Sequence, residues 1–356
     1  MSNDRNQSPA DSLELNARSR KVLFSLVDSY IGTGLPVSST TVVARAGLDI
    51  SSATVRNILV QLQDLGYLTQ PHKSAGRVPT DQGYRFYVNL LLQRLGFPST
   101  AVKGIGKRLR SGKPRKLLGS LLQETSLVLS EVSHYTGLVM APRFSEVSYN
   151  HMEFIRLRDN QVMVIFVSNS GVVHSRVVAI EERLSQDELD ELTCYLNLEL
   201  SDLTLEECRD RIARRMKADW SAYKQLLNRV FSLEPAVESD VADHQVYLEG
   251  ASNILNHPDF LEDFGRMKKV FQAFEKKQTL VNLLDRTMDS EEVMVYIGSE
   301  NPLTMLEDCS LVAANYKYKD KVVGSLGIIG PKRMEYARVI PVVDYTAKLL
   351  SRYIEC

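Results

Sequence analysis

Between Ser51 and Gly66 the chain reads SSATVRNILVQLQDLG, and its apolar residues Val55, Ile58, Leu59, Leu62 and Leu65 recur three and four apart. At 100° per residue they share one side of a helix, which must then be buried against something. The opposite side presents Ala53, Arg56, Asn57, Val60 and Asp64. Ser51 supplies an N-cap and Gly66 a stop that tolerates a left-handed backbone. One short segment is thus committed to a helix with a defined inner and outer face.

Its neighbours extend the pattern. Val22, Leu23, Leu26, Val27, Tyr30 and Ile31 predict a helix from Asn16, ended by Gly32, Gly34 and Pro36. Ser38 and Ser39 offer caps for a short helix, TTVVARA, closed by Gly47. After the third helix, Tyr67-Leu68-Thr69 and Arg77-Val78 read as two short strands joined by the turn-rich QPHKSAG, whose Ser-Ala-Gly tip is expected to be flexible. Thr80 caps a fourth helix with Tyr84, Tyr87, Val88 and Leu91 along one face. Three helices and a two-stranded wing within about 65 residues form the winged helix-turn-helix pattern. Residues 1–14 read as disordered.

Charge divides the chain. The formal net charge is −1, yet Met1–Lys116 carries 17 Lys and Arg against 7 Asp and Glu, and the remainder 26 against 37. A basic N-terminal part beside an acidic remainder points to a polyanion as its partner. Lys103, Lys107, Arg108, Arg110, Lys113, Arg115 and Lys116 lie in a glycine-containing stretch that reads as a linker.

The third helix has the chemistry for double-stranded DNA. Recognition helices turn their N-terminal residues to base edges, which here means Ala53, Arg56 and Asn57. Arginine forks onto guanine O6 and N7, asparagine pairs with adenine N6 and N7, and an alanine methyl meets a thymine methyl. Ser38, Ser39, Thr40, Ser51, Ser52 and Thr54 bring hydroxyls and helix N-termini, where phosphates bind readily. His72, Lys73 and Arg77 surround the wing tip. Ser38, Ser39 and Ser51 would also serve as helix caps in a protein with no DNA partner.

Beyond the basic stretch, a helix over about 117–133 leads to the apolar strand TGLVMAP. Residues 148–180 alternate in three runs, HMEFIRL, QVMVIFVS and VVHSRVVAI, and predict a three-stranded antiparallel meander. Helices are expected near 185–198, 204–216 and 219–232, then the acidic loop EPAVESDVADH, a strand VYLEG and helical chain to about 287. Strands VMVYIG, SLVAANY and VVGSLGIIG follow, with a last helix from near Pro341.

Several function classes are disfavoured. No apolar run approaches the roughly 20 residues of a membrane helix, and the polar N-terminus MSNDRNQSPADS has no signal-peptide core. Cys194, Cys208, Cys309 and Cys356 are scattered, as in a reducing cytoplasm. His72, His134, His151, His174, His244 and His257 stand far apart, with no HExxH, metal-spaced Cys/His set or GxSxG elbow, so neither enzyme, cofactor nor metal is expected. Gly324, Gly327 and Gly330 lack the GK[ST] ending of a phosphate loop and read as close strand packing.

Two stretches carry a family likeness. PVSSTTVVARAGLDISSATVRNILVQLQDLGYLTQPHKSAGRVPTDQGYRFYV resembles the N-terminal signature of HrcA-type heat-inducible transcription repressors. From YIGSENP through SLVAANYKYKDKVVGSLGIIGPKRMEYARVIPVVDYTAKLLS the chain is similar to the second signature of the same family. Many members have an acidic residue in place of Ile58 or Leu59, positions that face inward in a helix of this periodicity. The resemblance implies an α+β multidomain chain: a winged helix-turn-helix over 1–100, a linker and first part of a GAF-like α/β domain over 101–147, an inserted dimerising domain over 148–240, built as a three-stranded antiparallel sheet with helices, and the rest of the GAF-like domain over 241–356. It also implies a homodimer on an inverted-repeat (CIRCE-type) operator of chaperone operons, with a GroEL-type chaperonin as the modulating partner. The alternative is a metabolite-responsive regulator with a ligand in the GAF-like pocket.

Overall fold

The computed structural model describes residues 15–47, 50–93, 102, 104–110, 118–142, 149–157, 160–168, 173–180, 184–200, 203, 207, 246–255, 257–261, 263–290 and 292–355. The expectations for 1–14, for the helices near 204–216 and 219–232 and for the acidic loop fall outside them, apart from the isolated residue 207. The described residues mix helices with three antiparallel sheets, an α+β architecture. They divide into two compact units: 1–97 with 296–310 and 330–338, and 98–295 with 311–329 and 339–356. Two segments far along the chain thus pack with the N-terminal one.

In the first unit α1 (Ala17–Thr33), α2 (Ser39–Ala46) and α3 (Ser52–Asp64) pack on one another, and α4 (Asp81–Gln93) packs on α1. Ser38 and Ser51 cap as expected and Asn16 proves to be the cap of α1: each accepts an amide of the first turn, and Gly34 and Gly47 close α1 and α2 in the left-handed region. The core is made by Val22, Leu23, Leu26 and Val27 of α1, Val42 of α2, Val55, Ile58, Leu59 and Leu62 of α3, and Tyr84, Tyr87 and Val88 of α4. Each aliphatic side chain among them that is removed from water contributes about 1.5–3 kcal/mol. Leu65 departs from the expected inner face: it is the C-cap of α3, 38% exposed, where the chain already leaves the helix.

Tyr87 is buried yet donates its hydroxyl to Asp28 at 3.0 Å and stacks on Phe24 at 4.7 Å between ring centroids. Burial, then the Asp28 charge, drives its phenol pKa far above the ordinary value. Tyr87→Phe is expected to cost about 1–2 kcal/mol in chemical denaturation, because Asp28 loses a charge-assisted donor. A stability equal to that of the parent would mean water replaces the phenol without loss.

The second unit begins with α5 (Ile105–Arg110), so the expected linker contains a helix. Its reason is the buried pair Ile105 and Leu109, four apart within the charges. α6 (Leu118–Ser133) packs on β3 (Thr136–Met140). A five-stranded sheet has the order β7 (Val246–Glu249), β3, β10 (Lys321–Pro331), β9 (Cys309–Tyr318), β8 (Met294–Ile297). Within it β3 and β7 pair antiparallel from Gly137↔Glu249 to Met140↔Val246. Two glycines of β10 serve close packing: a Cβ on Gly327 would meet the Val312 carbonyl oxygen at 2.8 Å and one on Gly324 the Tyr316 hydroxyl at 2.3 Å, and that buried phenol donates to the Met140 carbonyl at 2.6 Å.

Between β3 and β7 in the chain lie β4 (Tyr149–Arg156), β5 (Gln161–Ser168) and β6 (Val173–Ala179), the expected antiparallel meander, and α7 (Gln186–Leu200). Met152, Phe154, Val162, Val164, Phe166 and Val178 form one buried layer with Leu189, Leu192 and Leu196 of α7. Four helices stand between β7 and β8: α8 (Ala251–Leu255), α9 (Pro258–Leu261), α10 (Phe264–Glu275) and α11 (Lys277–Asp285). The final helix, α12, runs Tyr336–Glu355 with Pro341 inside it. It starts five residues before the expected point, since burying Tyr336, Val339 and Ile340 outweighs the hydrogen bond that Pro341 cannot make.

Candidate nucleic-acid interface

The outer face of α3 is what its periodicity predicts. Val55, Ile58, Leu59 and Leu62 are turned in, while Ala53, Thr54, Arg56, Asn57, Val60 and Asp64 are exposed. Among the described residues no carboxylate pairs with Arg56. Asp64 lies eight residues further on, about 12 Å along the axis, so the acid is well removed from the first two turns. The face therefore offers a fork, an amide and small apolar groups at the positively polarised helix end.

The hydroxyls expected to bind phosphate are organised as caps and ties. Ser38 Oγ accepts the Thr41 amide at 3.2 Å and lies 2.7 Å from Thr40 Oγ1. Ser51 Oγ accepts the Thr54 amide at 3.2 Å and lies 3.0 Å from Thr54 Oγ1. Ser39 and Ser52 face one another at 2.9 Å and so tie the N-termini of α2 and α3 together. Each hydroxyl has one donor and two lone pairs, so capping leaves capacity for another partner. Ser38, Thr40, Ser51 and Thr54 are exposed, and Ser39 and Ser52 are half-buried.

The ribbon after α3 is β1 (Leu68–Thr69) paired with β2 (Val78–Pro79), with a third line added by the bridge Val37↔Arg77. Its tip is braced rather than free. The Gln70 amide donates to the carbonyls of Lys73 at 2.9 Å and Ala75 at 2.8 Å, and the Ala75 amide returns to His72 at 2.9 Å. Gly76 is needed where the ribbon meets the bridge, as a Cβ there would lie 2.5 Å from the Val37 carbonyl oxygen. Neither Gln70 nor Gly76 carried a sequence signal for these roles. His72 and Lys73 are exposed on the braced tip. Arg77 is half-buried and its Nε is sealed from solvent without a hydrogen-bond partner, so only the far end of its guanidinium is available for a phosphate.

Through Phe97 the chain has 10 Lys and Arg against 7 Asp and Glu; the other seven basic residues of Met1–Lys116 lie in 103–116. Those residues fall in the range of the second unit, where Arg108 pairs with Glu131 at 2.9 Å. With the 3 basic and 4 acidic residues of 296–310 and 330–338 added, the unit that carries α3 holds 13 against 11 and is only mildly basic.

A family model described as the HrcA protein C terminal domain matches residues 119–340, more than half of the chain. The chain belongs to the HrcA family. Among curated HrcA relatives named heat-inducible transcription repressors, that of Geobacter sulfurreducens is 42% identical over 349 residues, covering 96% of this chain and 99% of the relative. That of Syntrophobacter fumaroxidans is 39% identical over 344 residues, with 96% and 98% covered. A crystal structure described as that of a hypothetical protein at 2.2 Å resolution shares the fold, with TM-score 0.61, 24% identity, and 96% and 99% of the two chains covered. By this kinship with HrcA the chain is a heat-inducible transcription repressor and not an enzyme. Among the described residues no group of His, Cys, Asp and Glu could hold a metal, and no helix is long and apolar enough to cross a membrane.

Proposed function

We propose that the chain represses heat-inducible chaperone operons in the cytoplasm by binding an inverted-repeat operator of the CIRCE type as a dimer. α3 is the recognition helix of a winged helix-turn-helix, and the β1–β2 ribbon is its wing. The observation that carries this reading is the exposed pair Arg56 and Asn57 on the first two turns of α3, with no carboxylate paired to Arg56 among the described residues and four aliphatic side chains anchoring the other face. Arg56 is assigned to guanine, Asn57 to adenine and Ala53 to a thymine methyl. Ser38, Ser39, Thr40, Ser51, Ser52, Thr54, His72, Lys73 and Arg77 are assigned to the phosphate backbone.

Pairing of subunits is assigned to the insertion, 148–240, within a GAF-like domain formed by 101–147 and 241–356. Support comes from the second face of the meander, where Ile155, Met163, Ile165, Val167 and Val177 remain half-exposed opposite the buried layer. A sheet apolar on both sides is the composition expected where a partner is covered. Modulation by a GroEL-type chaperonin rests on the family resemblance.

Equilibrium binding of the full chain to an inverted repeat across a salt series tests the reading. Affinity is expected to fall steeply with salt. Lys73→Ala is expected to weaken binding to every sequence alike, and to lower the log–log slope by about 0.9 for each phosphate that is no longer neutralised. An Ala variant whose loss is confined to one operator base pair would move Lys73 from the backbone to a base. No preference of the wild-type chain for the inverted repeat over random duplex would end the proposal.

A further inference from the structure

The outer face of α3 carries an apolar residue that neither the assigned base contacts nor the phosphate contacts use. Val60 is 44% exposed. Among the described residues of 15–93 the other large apolar side chains left open are Leu35, in the connection from α1 to α2, and Leu65, at the C-cap of α3. Val60 alone of the three stands within a helix, on the side turned away from the buried Val55, Ile58, Leu59 and Leu62.

Its place on that face is set by the helical period. With about 100° of turn per residue, Val60 comes about 20° from the line of Ala53. It falls between Arg56, about 60° to one side of that line, and Asn57, about 40° to the other. Along the axis it stands about 6 Å beyond Arg56. Asp64, exposed on the same face, follows one turn later. A carboxylate there repels phosphate, so the stretch that can lie against DNA closes at Val60.

A valine in this position does little for the fold. β-branched side chains lose rotamer freedom in a helix, and methyls left in water contribute nothing by burial. The same stiffness suits a contact, because one dominant rotamer fixes both methyls before they meet a surface. Val60 has neither donor nor acceptor to offer a base edge. In the major groove the apolar feature that a base pair presents is the C5 methyl of thymine.

We infer that Val60 is a specificity-determining residue that reads a thymine methyl, on a base pair beside those met by Arg56 and Asn57. The inference rests on the reading of α3 as the recognition helix. The helix then carries two apolar readers, Ala53 and Val60, flanking a fork and an amide. A base pair that turned an amino or carbonyl group to Val60 in place of the methyl would lose water there without gaining a partner. The residue therefore also discriminates against the other pairs.

The test titrates the full chain and its Val60→Ala variant against an inverted-repeat operator. Each thymine is then replaced in turn, in both halves, by deoxyuridine, which removes the methyl and keeps every hydrogen-bonding group. The wild type is expected to lose about fourfold per half-site at one thymine besides that facing Ala53, the effect of about one buried carbon. Val60→Ala is expected to bind the parent operator about fourfold more weakly per half-site, and to be indifferent to deoxyuridine at that same thymine. The double-mutant cycle then shows coupling at one base and none elsewhere. The free variant is expected to melt no lower than the wild type, since alanine is the better helix former. Equal deoxyuridine responses in the two proteins would overturn the inference, and so would a wild type insensitive to every deoxyuridine. A lower melting temperature with a uniform loss over all operators would make Val60 a packing residue instead. Arg56→Ala on singly substituted operators keeps the two failures apart. An altered base preference there, without coupling at Val60, strikes only the valine; an unaltered one, again without coupling, takes α3 itself off the bases.

Discussion

Replacing Arg56 by Ala is expected to lower operator affinity about 5–150-fold per half-site and to erase discrimination at one base pair, since a bidentate base contact is worth about 1–3 kcal/mol. The expectation follows from position. Arg56 stands on the second turn of α3, exposed, one residue from Asn57 and beside the small Ala53, so a base edge can come close. Val55 and Ile58 hold the turn on which it stands from the buried side, and truncating an exposed side chain leaves that packing untouched. The change should therefore appear in DNA binding and not in thermal stability. Anisotropy titrations against operators substituted one base pair at a time separate the possibilities. A uniform loss over all sequences would make Arg56 a phosphate contact; an unchanged binding profile would remove it from the interface.

The largest stability effect is expected at Phe154. It is 0% exposed, at the centre of the layer between the meander and α7. Phe154→Ala deletes an aromatic ring from a small core, at a cost of about 3–5 kcal/mol. A body of three strands and one described helix has little other packing with which to absorb that loss. Calorimetry should show an early transition belonging to the insertion, and sedimentation at graded concentration should show a shift from dimer to monomer if this body joins the subunits. A dimer that survives melting of the insertion would place the pairing surface elsewhere.

What could be read from the sequence follows the range of the forces involved. Ser38, Ser51 and Gly47 act within their own helices, so their roles were legible residue by residue. The meander was legible because a strand pairs with its immediate neighbours across short turns. The inner and outer faces of α3 were legible from period alone, up to Leu65, where the helix ends a residue sooner than its pattern does. Misreadings arose where distant residues decide. Pro341 looked like a beginning because the burial of Tyr336 and Ile340 cannot be seen locally. The charges of 103–116 hid the buried pair of α5. Arg85 donates to Glu300, 215 residues away in the chain, and nothing in either neighbourhood announces the other.

The pairing of Met140 with Val246 has a consequence for the history and handling of such chains. Neighbouring strands lie about 4.7–4.9 Å apart, so the excursion from 141 to 245 departs and returns at almost the same point. A turn of about two to five residues, the ordinary length for a hairpin, would suffice to close the gap. Nature or an engineer could thus exchange the whole excursion as a cassette, fitting a different assembly partner without re-registering the sheet from which it springs.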